Sequence, residues 1–271
     1  MSTTVTGPGF YDIPEANYHA DTELAPELGR SLSVSGAKTI LRTPALFDHQ
    51  RRNGRPPKDA FDVGTIAHEL ILRGGDKRIR VIDAYDWRGK ASQDAKKAAH
   101  AEGLVPVHRG DLLEASRIAA AVRRHSLAAA ILSEGDPEVS FYWIDEATGL
   151  TLRGRVDWLR DNAIVDVKTT KDASPAAFAK DAANYRYDMQ ADHYTEGVEA
   201  LTGKRLPFLF LCVENTAPYL VAVYQLDDAA MDRGARANAE ARRLYAECES
   251  SNTWPAYSPE IETLSLPRWA S

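Results

Sequence analysis

Asp157, Asp166 and Lys168 lie in the stretch LRGRVDWLRDNAIVDVKTT, among residues that otherwise read as two β-strands. Residues 151–159 and 164–169 are rich in Val, Ile, Leu and Trp, and Asp161-Asn162 between them tolerates the left-handed angles of a tight turn. With those two residues as the loop, Arg160 faces Ala163, Asp157 faces Asp166, and Arg155 faces Lys168. Directly opposed residues bring their Cβ atoms to about 4.5–5.5 Å, where like charges destabilise a sheet. A cation between the carboxylates removes that conflict. Strand alternation puts Lys168 on the face of Asp166, and leaves Val156, Trp158, Val165 and Val167 as an apolar face for a core.

Two carboxylates at that separation suit a hard divalent cation, and Mg²⁺ takes oxygen ligands at about 2.0–2.1 Å while keeping several waters. Such a cation can activate a water and neutralise charge on a phosphodiester. Lys168 would then stabilise the charge developing at phosphorus. The backbone carbonyl of Val167 is a further oxygen donor, and Arg153 and Arg155 alternate onto the face of Asp157, to balance the carboxylates or to contact phosphate. Alone, a D-x-K is more often a surface ion pair. The second aspartate in register separates this sequence from that case.

The elements that must hold these residues follow from periodicity and punctuation. Residues 1–30 read as an irregular or extended leader, with Pro8, Pro14 and Pro26. Ser33 or Ser35 caps a helix through Ile40 and Leu41, and Pro44 opens a new one. A helix over residues 63–72 carries His68 and stops at Gly74-Gly75; alone, a histidine among Val63, Ile66, Ala67, Leu70 and Ile71 is more often a core residue. RIRVIDAYDWRG reads as a short strand, KASQDAKKAAHAEG as a polar helix ended by Gly103, and DLLEASRIAAAVRRHSLAAAILSEG as one long amphipathic helix. PEVSFYWIDEATGLTLRGRVDWLRDNAIVDVKTT is a three-stranded meander with turns at Thr148-Gly149 and Asp161-Asn162. Then come a helix opened by Ser174-Pro175, another over residues 188–201 ended by Gly203, the strands LPFLFLCVEN and YLVAVYQL, a C-terminal helix, and a tail over 253–271. This order implies one α/β domain over 1–271, with a central mixed β-sheet flanked by helices.

Composition bounds the rest. Of 271 residues, 44% are hydrophobic and 27% charged, ordinary for a globular protein. No apolar run approaches the roughly 20 residues of a membrane helix, and MSTTVTGPGFYDIP lacks a basic start and an apolar core, so the expected setting is cytoplasmic with no membrane partner. Two cysteines exclude a four-cysteine cluster built by this chain alone. The net charge of −6 counts against a nucleic-acid partner, although clustered carboxylates lower it.

In order along the chain, these residues resemble a known family. GRVDWLRDNAIVDVKTT resembles the D…D-x-K core of the P-D-(D/E)-x-K nuclease superfamily, with a restriction-endonuclease-like fold. GTIAHELIL resembles the G-x-x-x-H helix of its RecB- and RecE-type branches, and MQADHYTEG their Q-x-x-x-Y helix. SVSGAKTILRTPALF and EVSFYWIDEATGLTLRGRVDWL are similar to the exonuclease VIII (RecE) nuclease domain and its phage relatives, and the resemblance spans roughly residues 10–260. One departure is that Val156, not proline, precedes Asp157.

The resemblance implies Asp157 and Asp166 as the metal-binding carboxylates, His68 as a metal ligand or active-site partner, and Lys168 as the catalytic lysine; the Val167 carbonyl and Glu138 are further candidate ligands. Gln190 and Tyr194, at i and i+4 on one helix face, would orient DNA or neighbouring groups. It further implies a Mg²⁺-dependent exodeoxyribonuclease, with Mn²⁺ as a substitute, degrading linear double-stranded DNA from 5′ ends in phage-type recombination. The expected partners are DNA ends, a single-strand annealing protein and further copies of the chain, in a bacterial host cytoplasm. No iron–sulfur cluster is expected, and no ATP, since no G-x-x-x-x-G-K-[ST] loop occurs. The rivals are an endonuclease or single-strand-specific nuclease of the same superfamily, and an inactive DNA-binding or assembly module.

Overall fold

In chain order come β1 (Gly9–Tyr11), α1 (Glu15–Ala20), β2 (Leu32–Ser33), α2 (Val34–Arg42), α3 (Pro44–Asn53) and α4 (Val63–Arg73). They are followed by β3 (Ile79–Ile82), α5 (Lys90–Ala101), β4 (Val105–His108), α6 (Arg109–Arg124), α7 (Ser126–Ile131), β5 (Asp136–Ile144), β6 (Thr151–Leu159) and β7 (Ile164–Thr170). The chain ends with α8 (Pro175–Asn184), α9 (Tyr187–Thr202), β8 (Phe208–Glu214), β9 (Val221–Tyr224) and α10 (Asp228–Ser251). The structure, a computed structural model, describes residues 4–20, 24–54, 63–73, 79–84, 86–102 and 104–266. The helix stops expected at Gly74-Gly75 and Gly103 lie outside them.

The central sheet is mixed, with order β1-β5-β6-β7-β8-β9 and β2 added parallel to β6. One face packs on α2, α8, α9 and α10 through Phe141, Leu152, Ile164, Phe178, Met189, Phe210 and Tyr245. The other packs on α4, α6 and α7 through Ile66, Ile118, Val122, Val165, Val167 and Leu211. Full burial of such a side chain is worth roughly 1.5–3 kcal/mol, so both faces of the sheet are held firmly.

Local signals set many of the boundaries. Ser33 Oγ accepts the Gly36 N–H at 3.3 Å to cap α2, Pro44 occupies the first turn of α3, and Asp227 accepts the Ala230 N–H at 2.8 Å to open α10. Three expectations are corrected. The leader is extended where Phe10 and Tyr11 pair with Phe141 and Ser140 as β1, but residues 15–20 form the helix α1, which was not expected. The long helix after Gly110 is two helices, because His125 leaves helical geometry at ψ 115° and its Nδ1 accepts the Ala128 N–H, so it caps α7. Strand β4, not foreseen, pairs parallel with β3 from Ile79↔Val105 to Ile82↔His108.

The meander forms as expected through β5, β6 and β7, with Arg160 N–H donating to the Ala163 carbonyl at 2.9 Å. Neither Asp161 nor Asn162 takes a positive φ, so the turn closes without the left-handed residues anticipated. The β6–β7 ladder runs only through Leu159↔Ile164 and Trp158↔Val165. Beyond that, β7 follows β8 over its whole length, from Ile164↔Phe208 to Thr170↔Glu214, and β2 takes the freed edge of β6 at Leu152 and Arg153. A fork therefore opens between β6 and β7, at the level of Asp157 and Asp166.

Helices approach the site closely where glycine permits. A Cβ on Gly197 would lie 2.5 Å from the Phe141 ring, and one on Gly234 would lie 2.3 Å from the Asp188 carbonyl oxygen. The second contact seats α10 against the first turn of α9. Gly234→Ala should lower stability by about 1–3 kcal/mol through overpacking, although helix propensity alone would favour alanine by about 1 kcal/mol. Urea unfolding of the two proteins measures the sign directly.

Candidate active site

Asp157 of β6, Asp166 and Lys168 of β7 and His68 of α4 sit at or beside the fork. Asp157 Oδ2 accepts the Val167 N–H at 2.7 Å, so a side chain satisfies a backbone donor that the interrupted ladder leaves over. The same oxygen lies 3.0 Å from His68 Nε2 of α4. Asp157 Oδ1 has no hydrogen bond among the described residues. A strand residue presents its N–H and C=O to the same edge, so the Val167 carbonyl also faces the fork.

Asp166 is only 2% exposed. Its Oδ1 accepts from Gln190 Nε2 of α9 at 2.6 Å, and its Oδ2 lies 2.5 Å from Lys168 Nζ in an ion pair without hydrogen-bond geometry, which leaves that oxygen with no hydrogen bond among the described residues. Lys168 Nζ donates to Gln190 Oε1 at 3.1 Å and lies 4.6 Å from the centroid of the Tyr187 ring. One glutamine thus holds both ends of the D-x-K pair.

The carboxylates are not direct ladder partners as expected, nor are Arg155 and Lys168. Register would pair Asp157 with Asp166, but the ladder ends one step earlier. On the other side, the β5–β6 register skips Glu138 opposite Asp157, and Glu138 takes φ +51°, a left-handed angle rare for a non-glycine residue. Strand alternation slips there. Val156 packs with Phe141 and Ile164, whereas Trp158, Val165 and Val167 pack on the opposite face, so those four residues do not share the single apolar face anticipated.

Electrostatics follow from burial and these pairs. Burial pushes the Asp166 carboxyl up to about 6, and Lys168 opposes it without cancelling it. Burial also acts to raise Asp157, but the cationic His68 outweighs it and holds that carboxyl below its usual range. For His68, burial disfavours the imidazolium, and the Asp157 carboxylate overcomes it, raising the group to about 9. Lys168 likewise stays cationic, because Asp166 outweighs its burial.

Glu138 is buried and its carboxylate is engaged by Arg73 of α4 and by Arg155, the latter at 3.3 Å. His68, Glu69 and Glu138 bring one ligand atom each within 4.8 Å of one another. Glu69, which the sequence marks only as a neighbour of His68, therefore belongs to the site's surroundings, and Arg73, four residues on, lies 3.9 Å from it. Spacing at i and i+4 on the histidine helix was the available signal for that pair.

Gln190 reaches the fork; the Tyr194 hydroxyl is buried and feels both fork carboxylates. The Tyr194 ring packs edge-on against Phe141 at 5.6 Å and beside Phe208, and burial raises its hydroxyl well above the usual range. Arg153 donates to the Ser31 carbonyl at 2.8 Å and lies 5.3 Å from the Tyr18 ring centroid, whereas Arg155 donates to the Ile13 carbonyl and to Ser140 Oγ. Both arginines are thus committed to the protein's own groups. Tyr187 and Lys38 were missed. Tyr187 stands three residues before Gln190 on one helix face, a readable signal; Lys38 comes from α2, and nothing local in the sequence points to it.

The donor set fits a divalent cation. Asp166 Oδ2 is a buried carboxylate oxygen with no hydrogen bond among the described residues, Asp157 Oδ2 lies 3.0 Å from His68 Nε2, and the three ligand atoms gathered within 4.8 Å of one another are those of His68, Glu69 and Glu138. Binding would need an ionised Asp166 and, for direct ligation, a neutral His68. Cation affinity should therefore rise with pH: below about 6 it is limited by the Asp166 proton, and from there to about 9 by the His68 proton. Each displaced proton gives about a tenfold gain per pH unit. Titration calorimetry with Mn²⁺ between pH 5.5 and 9 should show that slope, and a flat profile contradicts the ligand set. The sign for the metal-free fold is opposite: the His68–Asp157 stabilisation is complete below pH 6.5 and is lost as pH rises through about 9.

Comparison with known proteins gives three findings. Residues 33–267 match the family model described as "PDDEXK-like domain of unknown function (DUF3799)". A Eubacterium rectale chain, provisionally named an exonuclease, superposes with a TM-score of 0.59 at 17% identity over 94% of this chain and 96% of its own, a likeness of fold. An alkaline exonuclease from Laribacter hongkongensis aligns over 69% of this chain and 90% of its own at 15% identity, with a TM-score of 0.27, too low to add to the fold comparison. No curated protein matches the chain.

Proposed function

Because the chain belongs to the PDDEXK-like family DUF3799, we propose that it is a divalent-metal-dependent exodeoxyribonuclease acting on linear double-stranded DNA. The observation that carries this reading is the fork. It holds Asp157 on β6 opposite Asp166 and Lys168 on β7, with a buried Asp166 oxygen that meets only the Lys168 ammonium among the described residues and the Val167 backbone on the same edge. The superfamily fold and the name given to the Eubacterium rectale neighbour support a nuclease, and the sequence resemblance to exonuclease VIII supports attack from 5′ ends without ATP. The same resemblance supports a role in phage-type recombination in a bacterial cytoplasm, with a single-strand annealing protein as partner and a homo-oligomeric assembly.

In this reading Asp157, Asp166, His68 and the Val167 carbonyl hold Mg²⁺, or Mn²⁺ in its place, with Glu138 behind them. The cation supplies Lewis-acid polarisation of the phosphate and lowers the pKa of a bound water. Lys168 places its ammonium against charge developing on the phosphodiester. Gln190 keeps that ammonium and Asp166 in fixed relation, donating to one and accepting from the other. Before the cation binds, His68 Nε2 at 3.0 Å from Asp157 Oδ2 fixes the rotamer of that carboxylate. Arg73 and Arg155 neutralise Glu138, so the extra buried carboxylate does not repel the phosphate. Tyr194 and Arg153 contribute through packing and backbone contacts, not by touching DNA.

The test incubates the purified protein with linear and covalently closed circular duplex, in Mg²⁺ or EDTA, beside Lys168→Ala. Linear DNA alone should disappear, only with Mg²⁺, and the variant should be slower by roughly 10²–10³-fold. Nicking of the closed circle moves the assignment to an endonuclease. DNA binding without cleavage of either substrate makes the chain a binding module.

A further inference from the structure

The corner between α8 and α9 carries an exposed aromatic ring whose place is fixed from several sides. Tyr185 is 61% exposed, yet its ring stacks on Tyr187 with centroids 5.7 Å apart and planes 26° from parallel. Tyr187 in turn stacks on buried Phe210 at 5.6 Å and lies beneath the Lys168 ammonium. Arg186, between the two tyrosines, takes a left-handed conformation at φ 54° and ψ 51° and pairs with Asp188 at 3.2 Å. From α2, Lys38 Nζ donates to the Tyr185 carbonyl at 2.8 Å and lies 5.9 Å from the Tyr187 ring centroid.

This arrangement resembles neither a core cluster nor a loose surface residue. A left-handed backbone at a residue other than glycine costs on the order of 1–3 kcal/mol, and here it turns one ring of a stacked pair to solvent. The ring chain leads straight from that surface to Lys168. The rim is basic: Arg233 joins Arg186 on the single carboxylate of Asp188, and Lys38 stands nearby. An exposed aromatic face with cations beside it is the usual platform for an unpaired nucleobase and its phosphates.

We propose that Tyr185 is a base-stacking residue, receiving on its exposed ring the nucleobase next to the phosphodiester held at Asp166 and Lys168. The proposal rests on the nuclease reading above and deepens it. A base lying on Tyr185 has left its own stack, so the strand must be unpaired at that nucleotide, and a frayed end is engaged more readily than a fully paired one. Lys38 holds the corner through the Tyr185 carbonyl, and Arg186 and Arg233, two cations on the one carboxylate of Asp188, leave net positive charge for the backbone beside the base.

The experiment places the fluorescent adenine analogue 2-aminopurine at successive positions of a short single-stranded overhang on a linear duplex. The full chain is added in Ca²⁺ buffer to follow binding, and cleavage kinetics are measured separately in Mg²⁺. Wild-type protein should quench one position. Tyr185→Ala should lose that quench and raise KM by on the order of tenfold, with kcat little changed, whereas Tyr185→Phe and Tyr185→Trp retain both. Circular dichroism and melting temperature confirm that the alanine variant folds, as expected for so exposed a side chain. If Tyr185→Ala keeps wild-type KM and quench, the stacking proposal falls while the nuclease reading stands. If wild-type protein neither binds nor cleaves the duplex, both fall together.

Discussion

Everything at this site depends on β7 being unable to pair with β6 and β8 along its whole length. It keeps β8, from Ile164 to Thr170, and leaves β6 after Trp158. A closed ladder would have set the Asp157 and Asp166 carboxylates directly opposite each other in a low-dielectric interior, which a sheet does not tolerate. The fork is the structural answer. Asp157 takes the orphaned Val167 N–H in place of the lost ladder bond, and β2 covers the remaining edge of β6 at Leu152 and Arg153. The same opening is flanked by Asp157 of β6 and by Asp166 and the Val167 backbone of β7.

The surrounding elements hold this opening at the correct size. α4 brings His68 to Asp157 from one face of the sheet, and α9 brings Gln190 to Asp166 and Lys168 from the other. Their positions are in turn fixed by close packing: α9 lies against Phe141 through Gly197, and α10 against α9 through Gly234. Charges are met by opposite charges, with His68 on Asp157, Lys168 on Asp166, and Arg73 and Arg155 on Glu138. Asp166 remains the least satisfied, raised to about 6 by burial even with Lys168 beside it. That residual cost is what a bound dication would relieve.

Much of this was readable from residue order, and the failures have identifiable causes. Strand composition and the turn residues located β5, β6 and β7, and alternation placed Lys168 with Asp166. Period-two reasoning assumed an unbroken ladder, so it could not foresee that β8 would draw β7 away, nor that Glu138 would take a left-handed angle and shift the alternation at Asp157. The pairing of i with i+4 found Gln190 and also offered Tyr194, but only packing against Phe141 and Phe208 shows that the tyrosine is interior. Arg153 and Arg155 read as residues to balance the carboxylates or to contact phosphate; Arg155 does meet Glu138, but their other acceptors, Ser31 and Ile13, lie more than a hundred residues away in sequence and could not be foreseen. Lys38 was invisible for the same reason: long-range contacts leave no local pattern.

The most direct test of the central claim is the position of the cation itself. Crystals grown with Mn²⁺ and measured for anomalous scattering should show a peak within about 2.0–2.4 Å of oxygens from both Asp157 and Asp166, in the fork between β6 and β7. A peak held instead by His68, Glu69 and Glu138, or no peak at the fork at saturating Mn²⁺, would contradict the account.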